Sequence, residues 1–570
     1  MTKKNNRVAV AALASLAVLA ACSTQGPLLG SDPKAACAAM NGTTIDAATV
    51  NAGVPLASGA ATITSAEYVD ASPLKIAPQG PTPAAMITPA APAFCKLLGN
   101  IANVDPQAQR INFQVNLPAK WNGRSVQFGG GGFNGVLITG LALAPGQRYD
   151  LPAPIAQGYA TVGTDSGHQN QPNVSQMAFA LNDEMLVNFA HASYPKVRNV
   201  SVALMQRAYG SAPQKTYFVG SSEGGREGLT MAQRYPNAFD GIFSRVPVIH
   251  WTGLQFAGTR NGIASMGDAW LKPAHVKLVH DATLAACDAA DGSADRVVSN
   301  AAACLKSFDP ATLRCAAGAN PDTCLNEGQV NAVKTMRTPF TFPYPLANGL
   351  TSYPGWGIGG EDTPAFGPTG GWRSWWTGTA APAIPAAPPP ASGIAWFYGS
   401  GALQYFYARD PNADPRQITP QSVAARVREV SALMDSTNPD LSAFHARGGK
   451  LIVLEYLADY AQSAFAGIQY VESVQQRLGA AKAAEFLRLY TAPGVDHVGT
   501  GAPALTDPLG ALSNWVEKGA APSGLTLTEQ DHKTPAFTVA RTRPLCEWPA
   551  WPKYKGSGDA NAAASFECVK

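Results

Sequence analysis

The pentapeptide Gly220-Ser221-Ser222-Glu223-Gly224 sets a serine midway between two glycines, and only Ser222 has that spacing. A serine on a strained turn between a strand and a helix exposes its hydroxyl, and glycines two positions to either side remove side chains that would collide there. The apolar Tyr217-Phe218-Val219 in front and the stretch from Gly225 to Pro236 behind predict that strand and that helix. Such a hydroxyl is a weak nucleophile until a base takes its proton, so a carboxylate and then a histidine must follow in the chain. The plain alternative is a glycine turn without chemistry.

Six histidines follow Ser222. His250, His275 and His280 fall in or at a segment of different texture, His445 on a predicted helix, and His532 in a polar stretch that reads as surface. His497 lies in "YTAPGVDHVGTG", a glycine-rich loop after the apolar "EFLRLY", and is the expected base. Asp459, at the end of "LIVLEYLAD", is the expected carboxylate, since a strand end lets a side chain reach a neighbouring loop. Asp496 is adjacent to His497, and adjacent side chains diverge. Glu455 lies inside the strand and reads as packed. A tetrahedral intermediate also needs backbone donors: the amide of Glu223 and one from the glycine loop at 129–132.

These residues need a scaffold. "WNGRSVQFGGGG", "GYATVGTDSGH", "KTYFVG", "FDGIFSRVPV" and "GGKLIVLEYLADY" read as strands, and residues 188–210 as an amphipathic helix. That alternation predicts a parallel sheet with helices on its faces. From about His250 to Pro439 the texture changes to cysteine-rich loops, tryptophan clusters and the proline-rich "TGTAAPAIPAAPPPASG". Proline at that density predicts surface loop within an inserted domain.

Net charge is +3 over 570 residues, without basic runs. A nucleic-acid footprint is excluded, and a small or neutral substrate fits better. Lys3, Lys4 and Arg7 precede a short apolar run ending Leu19-Ala20-Ala21-Cys22, too short for a membrane span and read as a cleaved export signal. Leu-Ala-Ala-Cys looks like a bacterial lipobox, which would make Cys22 the lipidated first residue and place the protein in the periplasm or at the outer membrane; without lipidation it would be secreted. The other eight cysteines, an even number in an exported chain, read as disulfides that sequence alone cannot pair.

Taken together, "LPAKWNGR", the glycine loop with "FNG", "TDSGH", "YFVGSSEGGREG", "GGWRSWW", "APGVDH" and "TRPLCEWPAWPKYKGSGDANAAASFEC" resemble the tannase and feruloyl esterase family over nearly all the mature chain. The resemblance implies an α/β-hydrolase core with a large inserted lid. The expected division is a signal segment over 1–21, core over 22–249, lid over 250–440 and core over 441–570. It implies Ser222 as nucleophile, Asp459 as orienter, His497 as base, and the Glu223 and Gly132 amides as oxyanion hole. It also implies the pairs Cys37–Cys95, Cys287–Cys304, Cys315–Cys324 and Cys546–Cys568.

The implied substrates are esters of aromatic acids, feruloyl or galloyl first and the mono(2-hydroxyethyl) ester of terephthalic acid second, and the expected state is a monomer. Amide hydrolysis shares the triad, and a catalytically dead lipoprotein that binds aromatic compounds is the alternative of another class. In "CDAADGSADRVVSN" three carboxylates at short spacing suit a hard cation. The family match implies a structural calcium on Asp288, Asp291 and Asp295 with the Ser293 and Val297 carbonyls. Trp375 is a candidate to stack on an aromatic acyl group.

Three departures stand out. The lid stretch "PPPASGIAWFYG" lacks the arginine that in a family member pairs with a substrate carboxylate. Gln462 replaces an aromatic residue. Ser221 and Val498 occupy positions that many members fill with a bonded cysteine pair.

Overall fold

The computed structural model describes Met1 and residues 32–76, 87–364 and 370–570; Cys22 and its lipobox lie outside the described residues. Eleven segments join one mixed sheet. In chain order they are β1 (Thr44–Ile45), β2 (Ala61–Val69), β3 (Phe94–Ile101), β4 (Ile111–Pro118), β5 (Arg124–Phe128), β6 (Ala160–Thr164), β7 (Lys215–Ser221), β8 (Gly241–Arg245), β9 (Lys450–Tyr456), β10 (Leu487–Ala492) and β11 (Cys546–Glu547). Their spatial order is β1-β2-β3-β4-β6-β5-β7-β8-β9-β10-β11. The run from β6 to β10 is parallel, and both flanks are antiparallel.

The predicted core strands all belong to the parallel part. Their side chains are buried almost end to end, Tyr217, Phe218 and Val219 in β7 and Leu451 to Leu454 in β9 among them. Continuous apolar runs are what a sheet covered on both faces requires. Helices Ser193–Tyr209, Glu223–Arg234 and Ala464–Leu478 supply the cover. The first is preceded by one π-helical turn, Asn188–Ala192, so the predicted single helix is two segments. β9 ends at Tyr456, three residues short of Asp459. The apolar Leu457-Ala458 prolong the sequence pattern beyond the ladder.

Between Arg245 and Lys450 the described residues add no strand to the central sheet. They form helices instead, including Trp251–Ala264, Pro273–Cys287, Glu327–Arg337, Ile394–Ala402 and Ala424–Met434. Two of these pack so closely that a methyl on Gly262 would come within 2.4 Å of the Trp396 ring. The proline-rich stretch at 378–393 forms no helix or strand.

Four disulfides join Cys37 to Cys95, Cys287 to Cys304, Cys315 to Cys324 and Cys546 to Cys568. The first ties the N-terminal helix Pro33–Ala38 to β3. Among the described residues no helix is long and apolar enough to cross a membrane.

Candidate active site

β7 ends at Ser221 and the helix Glu223–Arg234 begins two residues later, leaving Ser222 in the turn at φ 60° and ψ −121°. That conformation costs a non-glycine residue about 1–3 kcal/mol and persists only where surroundings enforce it. The Ser222 amide donates to the Arg245 carbonyl at 3.0 Å, and the Ser222 carbonyl accepts from Arg226 and Val248. The glycines are required by close approach. A methyl on Gly220 would lie 2.0 Å from the Gly224 carbonyl oxygen, and one on Gly224 2.6 Å from that of Gly130.

The two expected oxyanion donors lie at a helix start and in the glycine loop. Glu223 opens its helix, where N–H groups lack intrahelical partners. Gly132 sits in the glycine loop at φ 56°, a left-handed conformation that favours glycine. This loop is anchored to the helix behind Ser222 by a residue whose role the sequence reading missed. Buried Glu227 accepts from the Gly130 amide at 2.9 Å, from Asn134 Nδ2 at 2.6 Å and from the Tyr194 hydroxyl. Burial raises its pKa despite those donors. In "TDSGH", buried His168 bonds through Nε2 to the Phe133 carbonyl at 2.9 Å and stacks on Phe179. Burial lowers its pKa to about 4, so it is neutral at pH 7 and Nε2 is the donor.

His497 reaches both of its expected neighbours. Its Nε2 lies 3.0 Å from Ser222 Oγ and its Nδ1 2.7 Å from Asp459 Oδ2. Asp459 Oδ1 also accepts from the amides of Ala461 and Gln462, at 2.6 and 3.0 Å. The rival carboxylates serve other ends. Asp496 accepts from the Val498, Gly499 and Thr500 amides and shapes the histidine loop. Glu455, packed inside β9 and bridged to Asp459 by the Gln462 amide, is held well above the usual carboxyl range, first by burial and then by the Asp459 charge.

The other histidines bond elsewhere. His275 meets the Pro321 carbonyl, His280 faces Glu361 and His445 faces Glu485. Buried His250 is held to a pKa of about 3 by desolvation. His532 lies against the Tyr149 ring.

Aromatic rings wall the site. Trp375 lies 5.9 Å from the His497 ring and 6.2 Å from Tyr398, nearly perpendicular to the latter. Tyr398, within the stretch that lacks the lid arginine, stands edge-on to Phe133 at 4.8 Å. Its hydroxyl would lie 3.0 Å from a methyl on Gly132. At the two cysteine-replaced positions, Ser221 accepts from Arg245 Nε at 2.9 Å and Val498 is exposed.

The acidic lid loop draws Asp288 and Asp295 onto one amide, that of Val297, at 3.1 Å each. Asp291 accepts from the Ser293 amide at 2.9 Å, and Arg543 pairs with Asp295. Among the described residues no three acidic, histidine or cysteine side chains gather into a metal-holding group. The side chains in this loop, three carboxylates, are nonetheless of the oxygen-donor kind that a hard divalent cation takes.

A family model described as tannase and feruloyl esterase matches residues 95–569. An uncharacterized esterase of Agrobacterium fabrum is 35% identical over 84% of this chain and 85% of its own. The mono(2-hydroxyethyl) terephthalate hydrolase of Piscinibacter sakaiensis is 33% identical over 85% of this chain and 86% of its own. Among solved structures, feruloyl esterase B of Aspergillus oryzae superposes with a TM-score of 0.71 at 25% identity, covering 89% of this chain and 97% of that one.

Proposed function

We propose, for a chain that belongs to the tannase and feruloyl esterase family and is a carboxylic ester hydrolase, that it cleaves esters of aromatic acids by acyl transfer to Ser222. The observation that carries this reading is the continuous relay Ser222 Oγ, His497 Nε2, His497 Nδ1, Asp459 Oδ2, at 3.0 and 2.7 Å. Nε2 takes the hydroxyl proton as Oγ attacks the ester carbonyl. Asp459, fixed by two amides, holds the ring through Nδ1–H and stabilises the imidazolium. The Glu223 and Gly132 amides receive the negative oxygen, a contribution worth about 3–4 kcal/mol per donor in comparable sites. Nε2–H then protonates the leaving alcohol, and a water deprotonated by the same nitrogen releases the acid.

Trp375 and Tyr398 support an aromatic acyl group, because rings bind rings through edge and face contacts. Feruloyl and galloyl esters come first. The similarity to a terephthalate-monoester hydrolase keeps that monoester as the second reading. With no arginine in "PPPASGIAWFYG", a phenolic acyl group suits the site better than an anionic one.

The same reading assigns Ca2+ to Asp288, Asp291 and Asp295 with the Ser293 and Val297 carbonyls, where it would brace the lid loop and take no part in acyl transfer. Four disulfides support an oxidising compartment outside the cytoplasm, with Cys22 as the proposed lipid anchor.

Hydrolysis of methyl ferulate, methyl gallate and mono(2-hydroxyethyl) terephthalate, each beside its amide analogue, tests the substrate class. Turnover of a phenolic ester with the highest kcat/KM is expected. Faster cleavage of amides, or no cleavage of any ester, would overturn the proposal.

A further inference from the structure

Arg245 is the last residue of β8 and lies directly beside Ser221 in the parallel register with β7. Its half-buried guanidinium meets no carboxylate among the described residues and is spent on hydroxyl groups instead. Nε donates to Ser221 Oγ at 2.9 Å and Nη1 to the Tyr456 hydroxyl at 3.4 Å, with the guanidinium carbon 5.4 Å from the Tyr456 ring centre. The Tyr456 hydroxyl donates onward to the Ala504 carbonyl at 3.2 Å. A methyl on Gly499 would lie 3.7 Å from Nη1, so the guanidinium lies close beside the chain two residues past His497. Arg245 also holds the elbow by its main chain, whose carbonyl takes the Ser222 amide.

Three separate segments deliver the three side chains of the relay; Arg245 bonds to two of them and lies beside the third. Ser221 precedes Ser222, Tyr456 closes β9 three residues before Asp459, and Gly499 belongs to the histidine loop. None of the four disulfides ties these segments together. Withdrawing a cation from water without a counter-charge is a poor way to gain stability. It does fix geometry, because a planar guanidinium offers several donors at set angles.

We propose that Arg245 is a positioning residue: a noncovalent clasp that sets the elbow against the histidine loop and so maintains the Ser222–His497 hydrogen bond. The proposal rests on the triad reading above. Arg245 touches no reacting atom in this scheme, so its loss acts on kcat and leaves substrate binding in place.

The test is a double-mutant cycle on one ester substrate. Arg245→Met should lower kcat about 10- to 100-fold, the scale of a misplacement near 1 Å, with KM changed less than about threefold. Arg245→Lys keeps the charge but one point donor and should recover part of that loss. Ser221→Ala should cost less than about fivefold alone and nothing further once Arg245 is Met, the non-additivity of a shared contact. Additive effects, or a lowered melting temperature with kcat of the folded protein unchanged, would overturn the clasp. If Arg245→Met does not fold, the cycle between Arg245→Lys and Tyr456→Phe decides by the same criterion. Ser222→Ala runs alongside: turnover there would sink the triad reading itself, whereas a dead Ser222→Ala beside a fully active Arg245→Met would sink the clasp alone.

Discussion

Asp496 and His497 are adjacent in the chain, yet their side chains share no hydrogen-bond partner among the described residues. The Asp496 carboxylate turns back onto the amides of Val498, Gly499 and Thr500 and the hydroxyls of Thr363 and Thr500. His497 turns the other way, to Asp459 at 2.7 Å. Substituting the two carboxylates should therefore separate catalysis from stability. Asp459→Asn should keep the fold and lower kcat about 10⁴-fold, because the amide favours the wrong imidazole tautomer. Asp496→Ala removes the acceptor shared by three loop amides and two hydroxyls, the buried Thr363 hydroxyl among them, and should cost about 1–3 kcal/mol of stability. Thermal melts beside kcat of the folded fraction check both, and a larger catalytic loss at Asp496 with the fold intact would reverse the roles.

Glu455 gives a pH dependence with a definite sign. Burial and the Asp459 charge raise its folded pKa well above 4.5. The fold thus holds the neutral acid while the unfolded chain ionises it, so this contribution is fully present below the unfolded pKa. It declines as pH rises from there through the folded value. Glu455→Gln, which cannot ionise, should flatten the decline in melting temperature from about pH 5 upward. Parallel curves for the two proteins would show that Glu455 is already charged in the fold.

Trp375 lies against the His497 ring and in the aromatic wall. Trp375→Ala should raise KM for an aromatic ester about 5- to 30-fold, the loss of about 1–2 kcal/mol of ring contact and buried area. An acetate ester of the same alcohol should be little affected. Equal losses on both would place Trp375 in the structural core and not in the acyl pocket.

Calcium at the acidic lid loop predicts that chelation lowers the melting temperature by several degrees and that added Ca2+ restores it, since a ligand bound to the folded state alone stabilises it. Asp291→Asn should abolish the response. A melting temperature indifferent to chelator would contradict the assignment.

Much of this site is legible along the chain because its signals are local. Ser222 announces itself through two glycines whose α-carbons approach backbone too closely for any side chain. His497 follows a buried strand within a glycine-rich loop, and Asp459 follows another. The boundary of β9 is misread by three residues because Leu457 and Ala458 are apolar for packing, outside the ladder. What stays hidden are partners distant in sequence. Glu227 anchors Asn134 across 93 positions and Gly130 across 97. Arg245 reads as one more strand residue until the register sets it beside Ser221. The antiparallel flank β2 to β4 is equally silent, since β2 and β3 interleave buried with part-exposed positions and β4 buries the polar Gln114 and Asn116, so none shows the continuous apolar run that marks the parallel core.

The central claim is that Ser222, not its neighbour Ser221, is the nucleophile activated by His497. A fluorophosphonate reagent reacts with such a serine and leaves it covalently phosphonylated. Mass spectrometry of the digested protein should find a single adduct on Ser222 in the folded wild type and none in Ser222→Ala, and labelling should be slowed strongly in Asp459→Asn. An adduct on Ser221, or an unlabelled and fully folded wild type, would contradict the account.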